Sequence, residues 1–393
     1  MRRNLPRAFT LIEWLVVVVV IVIAVAMFIP ATRSAREAAR RMACSNNIRE
    51  VGLACLNYES SNKRLPAGWG GPAQLVGGTT QGVYIADYDP TNKLAAIGRW
   101  SAFSALTRYI EASTVTNEIE FRYTNPATKK TYPSPMAPWN MDDGGFQPWR
   151  TELSNSRCPS DPGEMDRNAK QFPYGGGRVN YGFCYGDTGK GATSGRHSNA
   201  NSGMFQGRYC RRLKDATDGL AHTLLLAEIA SSNSNTLERG TGKIRIQGGV
   251  RTEMSGLSPS PIACQMTAIG DKYTESHASY VEHWRGMRWA DGAIAYSGFN
   301  TILPPNTASC SETASESDWG YYTSTSYHGS GVNVLFADGA VRYIPNAIDC
   351  GNLKNPAPEG SAHDEENPSS PFGIWGAMGT RNSADSWSAN ALE

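Results

Sequence analysis

From Trp14 to Ile29 the chain contains no polar residue, and the apolar stretch that opens at Phe9 runs for 21 residues with Glu13 as its only charge. A helix of that length is about 31 Å long, the thickness of a bilayer core. Arg2, Arg3 and Arg7 precede it, with no acid among residues 1–8. That asymmetry places the N-terminus in the cytoplasm and everything after Pro30 outside. The pattern predicts a single-pass anchor. A cleaved signal peptide shares the basic start, and Ala24-Val25-Ala26 resembles its small-x-small cleavage site. Here, however, the apolar run continues past that site through Met27, Phe28 and Ile29. An acid inside a spanning segment is, moreover, a functional position by default, and Glu13 is one.

Ala31–Ser60 holds no Gly or Pro apart from Gly52, so the helix is expected to run on out of the bilayer, kinked by Pro30 rather than ended. Cys44, Ile48, Val51, Cys55 and Tyr58 recur at spacings of 4, 3, 4 and 3, an apolar stripe that can lie on a sheet. Arg33, Arg36, Arg40, Arg41 and Glu37 make up the solvated part. After Ser60, short apolar segments alternate with Gly/Pro/Asn/Ser loops. Ser101–Ile110 reads as a short helix, and Thr223–Ile229, Lys243–Val250 and Met287–Ala290 read as strands. The polar stretches 187–203, 231–242 and 305–326 read as surface crossings, 356–371 as a loop and the closing GIWGAMGTRNSADSW as docked. In VNVLFADGAVRYI, Asp338-Gly339 is expected to form a two-residue type I′ turn. Phe336 then pairs with Val341, Val334 with Tyr343, and Leu335 with Arg342 on a partly wet face.

Charge changes the picture little at first: 37 Lys+Arg against 36 Asp+Glu give +1 over 393 residues. Near-neutrality excludes an ordinary, strongly basic nucleic-acid-binding domain. Gly and Pro, 40 and 22, are too few for low-complexity disorder. Eight cysteines, at 44, 55, 158, 184, 210, 264, 310 and 350, all fall on the external side, where disulfides form. Their pairing is open among 105 possibilities. Cys44 and Cys55 are roughly 16 Å apart along one helix and cannot bridge each other.

The segment RAFTLIEWLVVVVVIVIAV resembles the prepilin cleavage and methylation motif of type IV pilins and type II secretion pseudopilins. The resemblance implies that prepilin peptidase cuts between Ala8 and Phe9 and N-methylates Phe9. Glu13 becomes the fifth mature residue, where pilins keep a glutamate, and Pro30 the twenty-second. It also implies filament assembly through Glu13, neutralised by the free amine of a neighbouring subunit's Phe9. Position 8 is Ala where the motif usually has Gly, and Trp14 replaces a small or aliphatic residue. Removal of 1–8 takes Lys+Arg from 37 to 34 against 36 acids, a mature net charge of −2.

The words REAARRMACSNNIREVGLACLNYESSNKRLPAGW are similar to a large bacterial family of pseudopilin-like proteins with a domain of unknown function. In that family the helix is followed by a CPSDP loop, a DGxxxTLLLxE strand, an FNTxLPPN loop and a His, nine residues, Asp-Gly motif. All occur here in order: Cys158–Pro162, Asp218–Glu228, Phe299–Asn306, and His328 with Asp338-Gly339. The implied fold is α+β and pilin-like, a long N-terminal transmembrane helix packed on an antiparallel β-sheet with large loop-rich insertions. It divides into a leader (1–8), a spanning helix (9–30), an extracytoplasmic helix (31–60) and a loop-rich head (61–393).

Catalytic chemistry is not legible. Gly186–Gly191 resembles a P-loop only superficially, since Cys184 stands at the first Gly position and Gly191 replaces the Ser/Thr that would bind magnesium; it reads as a flexible loop. His277, His283, Glu275 and Glu282 match no helical ligand spacing, no Cys/His spacing indicates zinc, and no G-x-S-x-G elbow occurs. Asp142-Asp143, Asp215 and Asp218 lie beside glycines and read as turns, without a full calcium-ligand ladder. The hairpin explains Asp338 and Gly339 without chemistry, and a hydrogen bond within the fold accounts for His328. The expectation is therefore a structural or interaction protein of the inner membrane, not an enzyme, without metal or cofactor. Its expected partners are prepilin peptidase, pilin or pseudopilin subunits and membrane lipid, but not nucleic acid. The alternative is a monomeric anchored envelope protein that binds glycan or another surface component.

Overall fold

The computed structural model describes residues 10–70, 99–121, 123–132, 137–138, 146–162, 176–190, 201–233, 236–237, 243–257, 260–274, 280–281, 284–359 and 369–383, with side chains described at all of these except 28–31, 33, 280 and 281. One helix, α1 (Leu11–Asn62), occupies the first 52 of these positions after Thr10. It passes position 30 without ending and stops at Lys63, a left-handed cap with φ 58° whose N–H donates to the Glu59 carbonyl. Among the described residues no helix is long and apolar enough to cross a membrane. The described apolar side chains of α1 run from Leu11 to Met27, adjoining the undescribed side chains of 28–31.

The fold is α+β. Its main sheet holds β1 (Tyr181–Cys184), β2 (Leu224–Glu228), β3 (Gly298–Phe299), β4 (Gly331–Phe336) and β5 (Val341–Pro345) in the order β3-β1-β2-β4-β5. All neighbours are antiparallel except β3 and β1, which run parallel. The predicted stripe of α1 packs here: Cys44, Ile48, Val51 and Cys55 have no exposed surface, and Tyr58 packs against the same core. Gly52 is where helix and sheet come closest. A Cβ there would lie 2.5 Å from Leu335 Cδ2 on β4. The one glycine in this stretch of helix therefore sits at the close approach.

The hairpin forms with a different turn and register. Leu335 pairs with Val341, Val334 with Arg342 and Asn333 with Tyr343. Gly339 (φ 86°) donates its N–H to the Phe336 carbonyl, and Phe336 N–H donates to the Ala340 carbonyl. Only Gly339 has positive φ, so the loop is a three-residue turn closed by a glycine bulge rather than type I′. The expected register assumed one wet face. Every residue of β4 is instead buried, so alternation did not fix the phase. Arg342 lies with its guanidinium 4.6 Å from the Phe336 ring centre.

Other expectations need correction. Ser101–Ile110 is helical only over Ala102–Leu106. Lys243–Val250 makes isolated bridges at Ile244 and Arg245 and a strand only at Val250–Arg251. Met287–Ala290 is a turn whose Trp289 donates its N–H to Gly177 and its indole N–H to Thr151. The stretches read as surface crossings are exposed at Lys190, 313–315 and Ser317 but buried at 187–189, 201–203, 231–233 and 319–326. Such loops go inside only if their backbone groups find partners. Here they do: Asp161 accepts from Ser231 N (2.8 Å), and Thr325 N donates to the Glu228 carbonyl. The described start of the P-loop-like segment, 186–189, is likewise buried, with Asp187 accepting from Ser202 Oγ (2.6 Å) and Ser370 Oγ (2.7 Å).

A second, smaller core surrounds a four-stranded sheet of Val250–Arg251, Tyr280–Val281, Cys310–Ser311 and Gly320–Tyr321. The Cys264–Cys310 disulfide lies in it. The tail docks as expected: Gly373–Gly379 is a helix with Trp375 fully buried.

Candidate functional site

Separately legible sequence motifs converge on one point beside α1. Glu37 and Cys44 stand two helical turns apart on α1. Cys158 opens the CPSDP loop, Glu228 ends β2, and His328 lies three residues before β4. Cys44 and Cys158 form a disulfide with 4.7 Å between their Cα atoms, closing a separation of 114 residues. His328 is held between two carboxylates. Its Nδ1 is 2.9 Å from Glu37 Oε1 and its Nε2 is 3.2 Å from Glu228 Oε1. Nε2 also lies 3.6 Å from Cys158 Sγ.

Each member is fixed by its own element. Glu228 accepts from Asn333 N (2.8 Å) and Asn333 Nδ2 (2.9 Å) on the neighbouring strand. Asn180 Oδ1 accepts from Cys158 N (3.0 Å), and Asp161 holds the rest of that loop through Asn180, Ser231 and Asn233. Asn306, from the FNTxLPPN segment, accepts from Ser326 N (2.7 Å), and Ser326 Oγ accepts from His328 N (3.2 Å). Ser160 Oγ donates to Glu37 Oε1 (3.1 Å), while Arg40 pairs with Glu37 Oε2 (2.5 Å). Tyr181 OH donates to the Cys44 carbonyl (3.0 Å), so β1 also touches the helix here.

The electrostatics follow from that enclosure. The His328 side chain is 1% exposed, and desolvation pushes its pKa down. The two carboxylates outweigh that, and the net shift is upward. Glu37, 39% exposed at the rim, is pushed up by desolvation, but His328, Arg40 and Ser160 bring it below the usual carboxylate range. His328, in contact with a carboxylate at each ring nitrogen, joins α1 to the sheet. The ligating atoms of Cys44, Cys158, Glu228 and His328 all lie within 4.8 Å of one another.

His328 and Asp338-Gly339 do not meet. They stand at opposite ends of β4, and each end reaches α1. His328 binds Glu37, while a Cβ on Gly339 would lie 3.6 Å from Leu56 Cδ1. Asp338 Oδ1 accepts from Ala340 N (2.9 Å) within the turn. The nine intervening residues therefore lay β4 alongside the helix rather than building one site. Asp215 accepts from Arg212 N at the start of its own turn, and Asp218 accepts from Ser383 N in the tail. Cys55 and Cys184 are buried thiols pushed up to about 12, and so poor nucleophiles.

At the N-terminus, Ala8 and Phe9 lie outside the described residues, as do His277, His283, Glu275, Glu282 and Asp142-Asp143. Glu13 takes part in a capping box: Thr10 N donates to Glu13 Oε2 (2.8 Å), and Glu13 N donates to Thr10 Oγ1 (3.3 Å). The sequence signal was Thr10-Leu-Ile-Glu13, the S/T-x-x-E pattern before an apolar run. Glu37 and Glu228 were the residues sequence reasoning missed. Glu37 read as one of several solvated charges, and Glu228 as the end of a strand motif.

Residues 3–29 match the description "Prokaryotic N-terminal methylation motif", and residues 33–351 match "Protein of unknown function (DUF1559)". No curated protein and no solved structure matches the chain. The longer match takes in Glu37, Cys44, Cys158, Glu228 and His328 and covers well over half of the sequence. The chain thus belongs to the family described as Protein of unknown function (DUF1559), with a prepilin-type methylation motif at its head.

Proposed function

We propose that the protein is a membrane-anchored, pseudopilin-like structural and interaction subunit with no catalytic activity of its own. Prepilin peptidase cuts between Ala8 and Phe9 and methylates the new amine. The first half of α1 then sits in membrane lipid, with the head on the extracytoplasmic side in a pilin-like arrangement. Through Glu13 the subunit joins, or caps, a type II secretion or type IV pilus-like filament. The observation that carries this reading is the methylation motif at 3–29 running straight into a helix whose apolar side chains are exposed among the described residues, Leu11 by 80% and Met27 by 71%. A bulky head favours the cap position, because it crowds a helically repeated subunit.

Glu13 would exchange partners on assembly, leaving the Thr10 cap for the Phe9 amine of a neighbouring subunit. The test is co-purification of cross-linked pilin or pseudopilin subunits with the wild-type chain and with Glu13→Val. Loss of the cross-linked partners, with the head still folded, supports the assembly role. Unchanged capture by Glu13→Val would leave an anchored monomer that binds an envelope component.

A further inference from the structure

We propose that Cys44, Cys158, Glu228 and His328 form a redox-gated site for a divalent cation of the zinc class, closed while the two sulfurs are joined and open when they are not. The inference goes beyond the proposed function and stands whether or not the chain enters a filament. The donor set is two thiolates, an imidazole and a carboxylate, the softness that selects such a metal. A tetrahedral centre with bonds of about 2.0–2.3 Å has ligand–ligand edges of about 3.3–3.8 Å. The His328 Nε2 contacts, 3.6 Å to Cys158 Sγ and 3.2 Å to Glu228 Oε1, are already near that scale. Breaking the S–S bond lets the sulfurs part to the remaining edge.

The surroundings are those of a metal site rather than of a plain disulfide. A cystine is neutral and packs well among apolar groups, yet this one faces a buried carboxylate and a buried imidazole. Glu37 accepts a hydrogen bond from His328 Nδ1–H at 2.9 Å, which leaves Nε2 turned toward the sulfurs. Asn333 holds the Glu228 carboxylate from two nitrogens. Such outer contacts fix ligand orientation in histidine–metal centres. Glu37, at the exposed rim, marks the way in.

Opening takes two electrons and two protons. A dithiol reductant attacks the Cys44–Cys158 bond and leaves as its own disulfide, and both cysteines become thiols. Metal binding then releases the two thiol protons, and any proton on Nε2, to solvent, while Nδ1–H stays on the imidazole, hydrogen-bonded to Glu37. The newly made chain passes through the same dithiol before oxidation.

The test is anaerobic titration of the full chain in detergent with Co2+, after phosphine reduction and removal of the reductant. One equivalent per chain, with sulfur-to-cobalt charge-transfer absorption, is expected for the reduced wild type and for Cys264→Ala/Cys310→Ala. None is expected for the oxidised protein or for Cys44→Ala/Cys158→Ala. Glu37→Gln should keep the stoichiometry and bind roughly 10–100-fold more weakly. A reduced wild type with both thiols alkylatable, a native circular-dichroism spectrum and no such absorption overturns the proposal. So does absorption that persists in Cys44→Ala/Cys158→Ala. If reduction unfolds the head, cobalt must restore the native spectrum, and its failure to do so also overturns the proposal.

Discussion

The two halves of α1 are continuous in backbone and opposite in surroundings. From Leu11 to Met27 the side chains, Glu13 apart, are apolar on every side and largely exposed, whereas from Cys44 to Cys55 a single stripe is apolar and fully buried. A helix apolar all round needs a medium, and a striped helix needs a surface. The distal half finds its surface within the chain, on β2 and β4. The proximal half finds none among the described residues, and on the proposed function lipid or another subunit supplies it. The lesson is that hydrophobicity alone does not mark the core of this protein. Its angular distribution does.

Variants that act on one half and not the other can break this contrast. The largest expected effect is loss of the distal anchor: Cys44→Ser/Cys158→Ser frees a 114-residue separation and should cost about 2–5 kcal/mol of head stability, read by denaturant unfolding. Gly52→Val comes next. Its branches would enter the space of Leu335, and overpacking of this kind costs about 1–3 kcal/mol.

The His328 pairs make stability depend on pH. The His328 pKa is raised in the fold, so its contribution is fully present below the unfolded value of about 6.5 and is lost as pH rises through the folded value. Glu37 is lowered, so its contribution is present above about 4.5 and is lost as pH falls through its folded value. Unfolding curves for the oxidised protein across both windows should show the two losses, and Glu37→Gln should abolish the acid-side loss while only reducing the His328 one, because Glu228 still faces the imidazole. At the proximal end, Thr10→Ala removes the cap and should cost about 1 kcal/mol of local helix stability, seen as faster amide exchange at residues 11–14. The head's unfolding midpoint should not move. Smallest of all, Val20→Ser should change head stability by less than about 0.5 kcal/mol while weakening retention in the membrane fraction. A fall in head stability as large as that of Gly52→Val would contradict the contrast.

What was legible in the sequence follows from the same physics. Periodicity placed the α1 stripe, because Cys44, Ile48, Val51 and Cys55 face one sheet and solvent surrounds the rest. It located β2, a short apolar run, but gave the wrong phase for β4 and β5, because burial on both faces of β4 erases the alternation that sets register. The loops near 187, 231 and 320 looked like surface because they are polar. Their buried parts are held by Asp161 at 231–233, Ser202 at 187, and Arg285 and Ser309 at Thr323, a long-range arrangement that local composition does not carry. The site itself was visible only as fragments: Cys158, Glu228 and His328 each sat in a separate motif, and residues 37 to 328 meet only once the sheet has folded onto the helix.

The measurement that bears most directly on the account is the intact mass of the mature N-terminus. The account predicts a chain that begins at N-methylated Phe9 and so retains the whole exposed apolar half of α1. A chain that begins at Met27 would have discarded that half with a signal peptide, and would contradict the membrane-anchored, pseudopilin-like reading.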